Sequence, residues 1–226
     1  MLVRESPRSR RLRITVGPRE PLRVTVPRRT TRAEIDRMLR LNRDWIAGKV
    51  AWSEELSARP GALGLDRPGF AWIGGRPLPI LLAGGMRASA RLRGAAIVVG
   101  GPREHAEGAL ERWYRREARL CLQAAVGREA ARLGLRPRGI SVRDPRTRWG
   151  SCSSRGSLSF SWRLLVAPPG VLDYVVVHEL CHLRELNHSA AFWGLLDRAR
   201  PGWREQAAWL SEHGLEIGDY VPRPAP

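Results

Sequence analysis

Apolar and polar residues alternate over Leu12 to Val16 (LRITV) and again over Leu22 to Val26 (LRVTV), with Gly17, Pro18, Arg19, Glu20 and Pro21 between them. A period of two interrupted by turn residues predicts a β-hairpin, aliphatic on one face and carrying Arg and Thr on the other. The period changes after Thr30 and Thr31. Ile35, Met38, Leu39, Asn42, Trp45, Ile46 and Lys49 recur at helical spacing, which predicts one long helix from about Arg32 to Ser57, capped by a threonine. Gly and Pro then punctuate the chain from Pro60 to Gly101. The short runs Phe70–Ile73, Leu78–Leu82, Met86–Leu92 and Ala95–Val99 within it read as strands.

A second helix is predicted from Glu104 to about Leu133, with Leu110, Trp113, Tyr114, Ala118 and Ala125 on its apolar side; Gly134 ends it and Pro137 bars continuation. Gly139–Arg143 reads as a strand, RTRWGSCSSRGS as a polar turn, and Leu158–Val166 as another strand. Pro168, Pro169 and Gly170 break the chain before an apolar helix from Leu172 to about Leu186. Ser189 caps a helix to about Arg200, and Pro201 opens a last one. The pattern as a whole predicts an α+β protein. Residues 1–102 form a β-rich N-terminal region with one long helix, residues 103–220 a second domain, and residues 221–226 a loose tail.

Composition narrows the class. With 226 residues, 43% of them hydrophobic, the chain can bury a substantial core. No apolar run reaches the roughly 18 residues of a membrane span, and the basic start lacks the apolar segment of a secretory signal, so no membrane association and a cytoplasmic location are expected. Cys121, Cys152 and Cys181 are expected as reduced thiols. The net charge of +17 is concentrated: 32 basic against 14 acidic residues up to position 150, and 7 against 8 beyond it. A basic N-terminal half of this kind attracts phosphate-bearing polymers, which makes nucleic acid a candidate partner.

The neutral remainder carries the chemistry. His178-Glu179-Leu180-Cys181-His182 is an HExxH motif inside the apolar helix. Positions i and i+4 stack on one helix face, so both imidazoles can grip one ion, while Glu179, turned about 100° away, is left free to take a proton from a metal-bound water. A catalytic zinc site needs a third protein ligand. His188 would be rotated far out of reach on an unbroken helix, but Asn187-His188-Ser189 is suited to a corner that swings it back.

The run RTRWGSCSSRGSLSFSWRLLVAPPGVLDYVVVHELCHLRELNHSAAFW resembles the YgjP-like metallopeptidase domain, a family of the zincin class similar to SprT-like and WLM-type proteases. The order RWGSC, a W-R-L strand, APP, HELxH and NHSxxFW carries the resemblance, which is strongest over residues 105–213. It implies a zincin-like catalytic domain with the HExxH helix on a small β-sheet, zinc held by His178, His182 and His188, and Glu179 as general base. Cys181 stands where the family more often has Ala. Zincins pair substrate with an edge strand, and the strand Leu158 to Leu165, bearing Ser159 and Arg163, resembles that element. Arg148 and Arg163 are the candidates to stabilise an oxyanion or to bind a carboxylate or phosphate.

The leading expectation is therefore a zinc-dependent metallopeptidase acting on peptide or protein. Two alternatives share the site: a metal-dependent nucleoside triphosphate pyrophosphohydrolase, and a nucleic-acid-associated protease. No P-loop supports a nucleotide reading.

Overall fold

A computed structural model describes residues 1–7, 9, 11–17, 20–58, 63–145 and 148–225. Pro18 and Arg19 of the predicted hairpin turn, Pro60, Arg146 and Thr147 of the predicted polar turn, and Pro226 lie outside the described residues. The chain divides into two compact units, Met1–Ala62 and Leu63–Pro226.

In the first unit, β2 (Arg13–Gly17) and β3 (Glu20–Val26) pair antiparallel as the alternation predicts, and β1 (Leu2–Glu5) adds parallel to β3, giving the order β1-β3-β2. The four residues of β1 are too few to show a period. The predicted long helix is two, α1 (Arg32–Leu41) and α2 (Arg43–Ala58). Thr31 caps α1 in a reciprocal box with Glu34. At Asn42 the side-chain amide donates to the Met38 carbonyl at 2.8 Å and the backbone leaves the helical region. A short side-chain amide competing with the helix's own hydrogen bonds accounts for the break, and the apolar spacing runs across it unchanged.

The second unit begins with the sheet β4-β5-β7-β6, from β4 (Phe70–Ile73), β5 (Arg76–Gly84), β6 (Ser89–Arg93) and β7 (Ala96–Gly100). The boundary expected at residue 102 falls inside this unit, for two reasons. The Gly74-Gly75 turn donates its backbone N–H groups to the carbonyls of Leu165 and Val166 at 2.8 and 2.9 Å, and Ile97 and Val99 are buried in the same core as α3 (Ala106–Leu133). Gly134 ends α3 in the left-handed conformation (φ 62). The segment after Asp219, expected as a loose tail from 221, is tied down as well, since Gly69 donates to the Arg223 carbonyl at 2.9 Å. Tyr220 joins Tyr114 and the backbone of Trp72 in one hydrogen-bond cluster.

A second sheet carries the site. β8 (Gly139–Arg143) and β9 (Gly150–Cys152) flank β10 (Ser157–Ser161), parallel and antiparallel respectively. The expected strand to Val166 stops at Ser161, whose side chain caps a 3-10 turn over Trp162–Leu165. Pro169 then opens α4 (Pro169–Cys181), followed by α5 (Ala190–Ala199) and α6 (Trp203–Asp219). α4 is apolar nearly all round, and Val171, Val175, Val176, Val177 and Leu180 are buried, as expected of a helix enclosed by protein. At roughly 1.5–3 kcal/mol for each large aliphatic side chain removed from water, that burial fixes the helix, and with it the motif, in the core. The fold is α+β. No described helix is long and apolar enough to cross a membrane.

Candidate metal centre

α4 ends where the motif does. His178 lies in its last turn, and His182 is the C-cap residue. The chain then turns through residues 183–188 until the Ser189 side chain accepts the Phe192 N–H and starts α5. This corner, predicted from Asn187 and Ser189, returns His188 to the motif: His188 Nε2 lies 3.1 Å from His178 Nε2. One ligand atom from each of His178, His182 and His188 falls within 4.8 Å of the others. Two nitrogens bound to one tetrahedral zinc at about 2.05 Å stand about 3.3 Å apart, which the 3.1 Å between His178 and His188 matches closely.

The surroundings prepare the imidazoles as ligands. The Nδ1–H of His182 donates to the Glu185 carbonyl at 2.9 Å; a carbonyl only accepts, so the proton sits on Nδ1 and the Nε2 lone pair is left for a metal. Burial, together with the two other imidazoles, pushes the His178 pKa down to about 4, and burial lowers that of His188 too. Both rings are thus neutral at ordinary pH, the form that binds metal. The Phe192 ring lies against all three, with centroids 4.5–5.0 Å away. Trp193 flanks His188 at 5.4 Å and stacks on Trp203, which stacks on Tyr174.

Glu179 is 6% exposed and outside the three-histidine group. Burial raises its pKa to about 7, against the opposing charge of Arg148. It lies directly on the backbone of β9: a Cβ built on Gly150 would stand 2.6 Å from both Cγ and Oε1 of Glu179. A cavity of about 390 Å³ opens over the histidines and Glu179, lined also by Arg148, Trp149, Tyr174 and Leu210.

Residues 10–213 match the family described as YgjP-like, metallopeptidase domain. The chain belongs to that family. Among solved structures, the crystal structure of the metallopeptidase zymogen of Pyrococcus abyssi abylysin is similar at a TM-score of 0.37 and 17% identity, over 46% of this chain and 99% of that one; so slight a likeness carries no argument. No curated protein matches the chain in sequence. As a YgjP-like metallopeptidase, the protein is a metal-dependent hydrolase of the peptidase kind.

The YgjP-like site differs from the sequence expectation in its strand. β10 is the central strand of its sheet, so it cannot present an edge, and Ser159 is paired on both sides, with Ser141 and Ser151. Arg163 lies in the 3-10 turn, over the Trp162 ring and in an ion pair with Asp144; neither Ser159 nor Arg163 lines the cavity. The edge is β9. Trp149 and Ser153 hydrogen-bond to Ser161 and Ser157 of the β10 side at 2.9 Å, and because antiparallel backbone groups alternate in direction, those of Gly150 and Cys152 point to the open side. Arg148, one of the expected residues, does line the cavity. Cys181 is fully buried among apolar side chains, its thiol pushed up to about 11 by burial.

Sequence reasoning missed Tyr174. It stands four residues before His178, the same spacing that joins His178 to His182, and that periodicity places all three along one face of α4. Burial and the Glu179 charge both raise its pKa, so the phenol keeps its proton.

Proposed function

We propose that the chain is a zinc-dependent peptidase with His178, His182 and His188 as metal ligands and Glu179 as general base. The observation that carries this reading is the convergence of three imidazoles beside a buried carboxylate, under an open strand edge. Bound zinc supplies Lewis acidity, polarising the scissile carbonyl and acidifying water. Glu179 accepts the proton of the attacking water and returns it to the leaving amine; a carboxyl group with a pKa near 7 suits both transfers. Gly150 and Cys152 of β9 offer their outward backbone groups to an extended peptide, which adds to the sheet as a fourth strand. That edge favours peptide over nucleotide.

The test is hydrolysis of an unfolded protein and of nucleoside triphosphates by the purified chain, with and without a chelator. Chelator-sensitive cleavage of the protein is expected. Turnover of the triphosphates alone overturns the peptidase reading.

Two further outcomes check individual residues. His188→Ala removes the proposed ligand on the exposed side of the site, and zinc affinity is expected to fall by about 100-fold or more, measured by competition with a chromophoric chelator. Tyr174 lines the cavity with its proton retained and is placed to donate to the substrate carbonyl as negative charge develops there. Tyr174→Phe is expected to lower kcat about 100-fold with KM and zinc content unchanged; an unchanged kcat assigns the phenol to packing on Trp203 instead.

A further inference from the structure

The three-stranded sheet of the first unit has two unlike faces. Leu22 shares an apolar groove with Leu39, Ile46 and Val50 of α1 and α2, and Val24 and Val26 are buried. The even positions of β3 therefore face the helices, and its odd positions face the other way. Strand register then sets the neighbours on that second face. Arg4, Thr25 and Arg13 form one row across β1, β3 and β2; Leu2, Arg23 and Thr15 form the next. Arg4 and Arg13 are exposed, as are Arg28 and Arg29, which follow β3 at the same end of the sheet. Arg29 holds a left-handed backbone (φ 66), so the chain turns sharply there. Among the described residues this face carries neither an acid nor an aromatic ring.

We propose that this face docks on the sugar-phosphate backbone of duplex DNA. Strands lie about 4.8 Å apart, so Arg4 and Arg13 are separated by roughly 10 Å with a threonine between them. The guanidinium fork fits phosphate oxygens bidentately, and threonine hydroxyls are common phosphate donors. The absence of aromatic side chains argues against a single strand, which needs rings on which to stack its bases. A-form RNA is held largely through 2′-hydroxyls across its minor groove, whereas the described residues of this face offer guanidinium groups spaced for phosphates. An anionic membrane would call for an apolar set to insert, and Leu2 alone does not make one. With no side chain entering a groove, binding is independent of base sequence.

The experiment measures binding of the full chain to a fluorescent 25-base-pair duplex by anisotropy as salt is raised. Three to five phosphate contacts give a slope of log affinity against log salt of about −3 to −4.5. The double substitution Arg4→Glu with Arg13→Glu is expected to lower affinity at least about 10-fold and to flatten the slope by about 2, with zinc content unchanged. The charge-matched pair Arg112→Glu with Arg119→Glu, at exposed positions of α3, is expected to lower it less than about 3-fold. Equal losses for the two pairs, no binding at about 50 mM salt, or tighter binding to duplex RNA, to single strands or to vesicles rich in phosphatidylserine overturns the proposal.

Discussion

Glu179→Gln is expected to hold zinc as tightly as the parent chain while hydrolysing substrate about 1,000-fold more slowly. General-base catalysis contributes typically 10²–10⁴-fold, and the amide has no basic site that could take a proton from water at neutral pH. The shape is conserved, so the contact with Gly150 survives and the core around α4 has no new volume to accommodate. Zinc retention follows from the proposed ligand set of three imidazoles, to which the carboxylate does not belong. The measurement pairs metal content by mass spectrometry with single-turnover cleavage. Undiminished hydrolysis removes Glu179 from the mechanism; loss of the metal together with activity makes the carboxylate a ligand.

Much of this centre is legible before any coordinates, and its limits have physical causes. HExxH specifies its own geometry, since a four-residue step on a helix brings two side chains to one face. The His188 corner is readable because Asn187 and Ser189 have local conformational preferences that do not depend on the rest of the fold. The choice of edge strand is another matter. Ser157–Ser161 has the apolar alternation of a strand, and so attracts attention, but alternation reports burial on one face and says nothing of how many neighbours the strand has. β9, with three residues beginning at Gly150, has no period to detect, yet it is the edge strand that lines the cavity. The break at Asn42 and the short β1 leave no periodic signal either: the first keeps the helical spacing of its flanks, and the second is four residues long. Tyr174 was visible as a position on the motif's face, but its approach to the cavity depends on Trp203 behind it, a contact 29 residues away in sequence.

Gly150→Ala is expected to abolish most of the activity while leaving the metal in place. The added methyl carbon would stand 2.6 Å from Cγ and Oε1 of Glu179 and 2.8 Å from Cδ, closer than carbon and oxygen atoms approach without a shift. Neither partner yields freely. β9 is paired to β10 at Phe160, which is fully buried, and Glu179 is carried by a helix whose neighbouring side chains are enclosed. Overpacking of this kind costs about 1–3 kcal/mol, and the least costly relief is rotation of the Glu179 side chain away from the strand. That rotation displaces the proton acceptor from the attacking water, so kcat is expected to fall about 100-fold or more, since misplacement of a catalytic group by about 1 Å is enough for such a loss. The three histidines lie on α4 and the following corner, and the three atoms nearest the new methyl all belong to Glu179, so zinc affinity should hold within about 3-fold. Gly127→Ala supplies the comparison: this glycine is inside α3 with nothing within 4 Å of an added Cβ. There the same substitution should raise stability by up to about 1 kcal/mol through helix propensity, with activity untouched. If Gly150→Ala also retains full kcat, the carboxylate does not depend on β9 for its position, and the strand's remaining role is to bind substrate through its backbone.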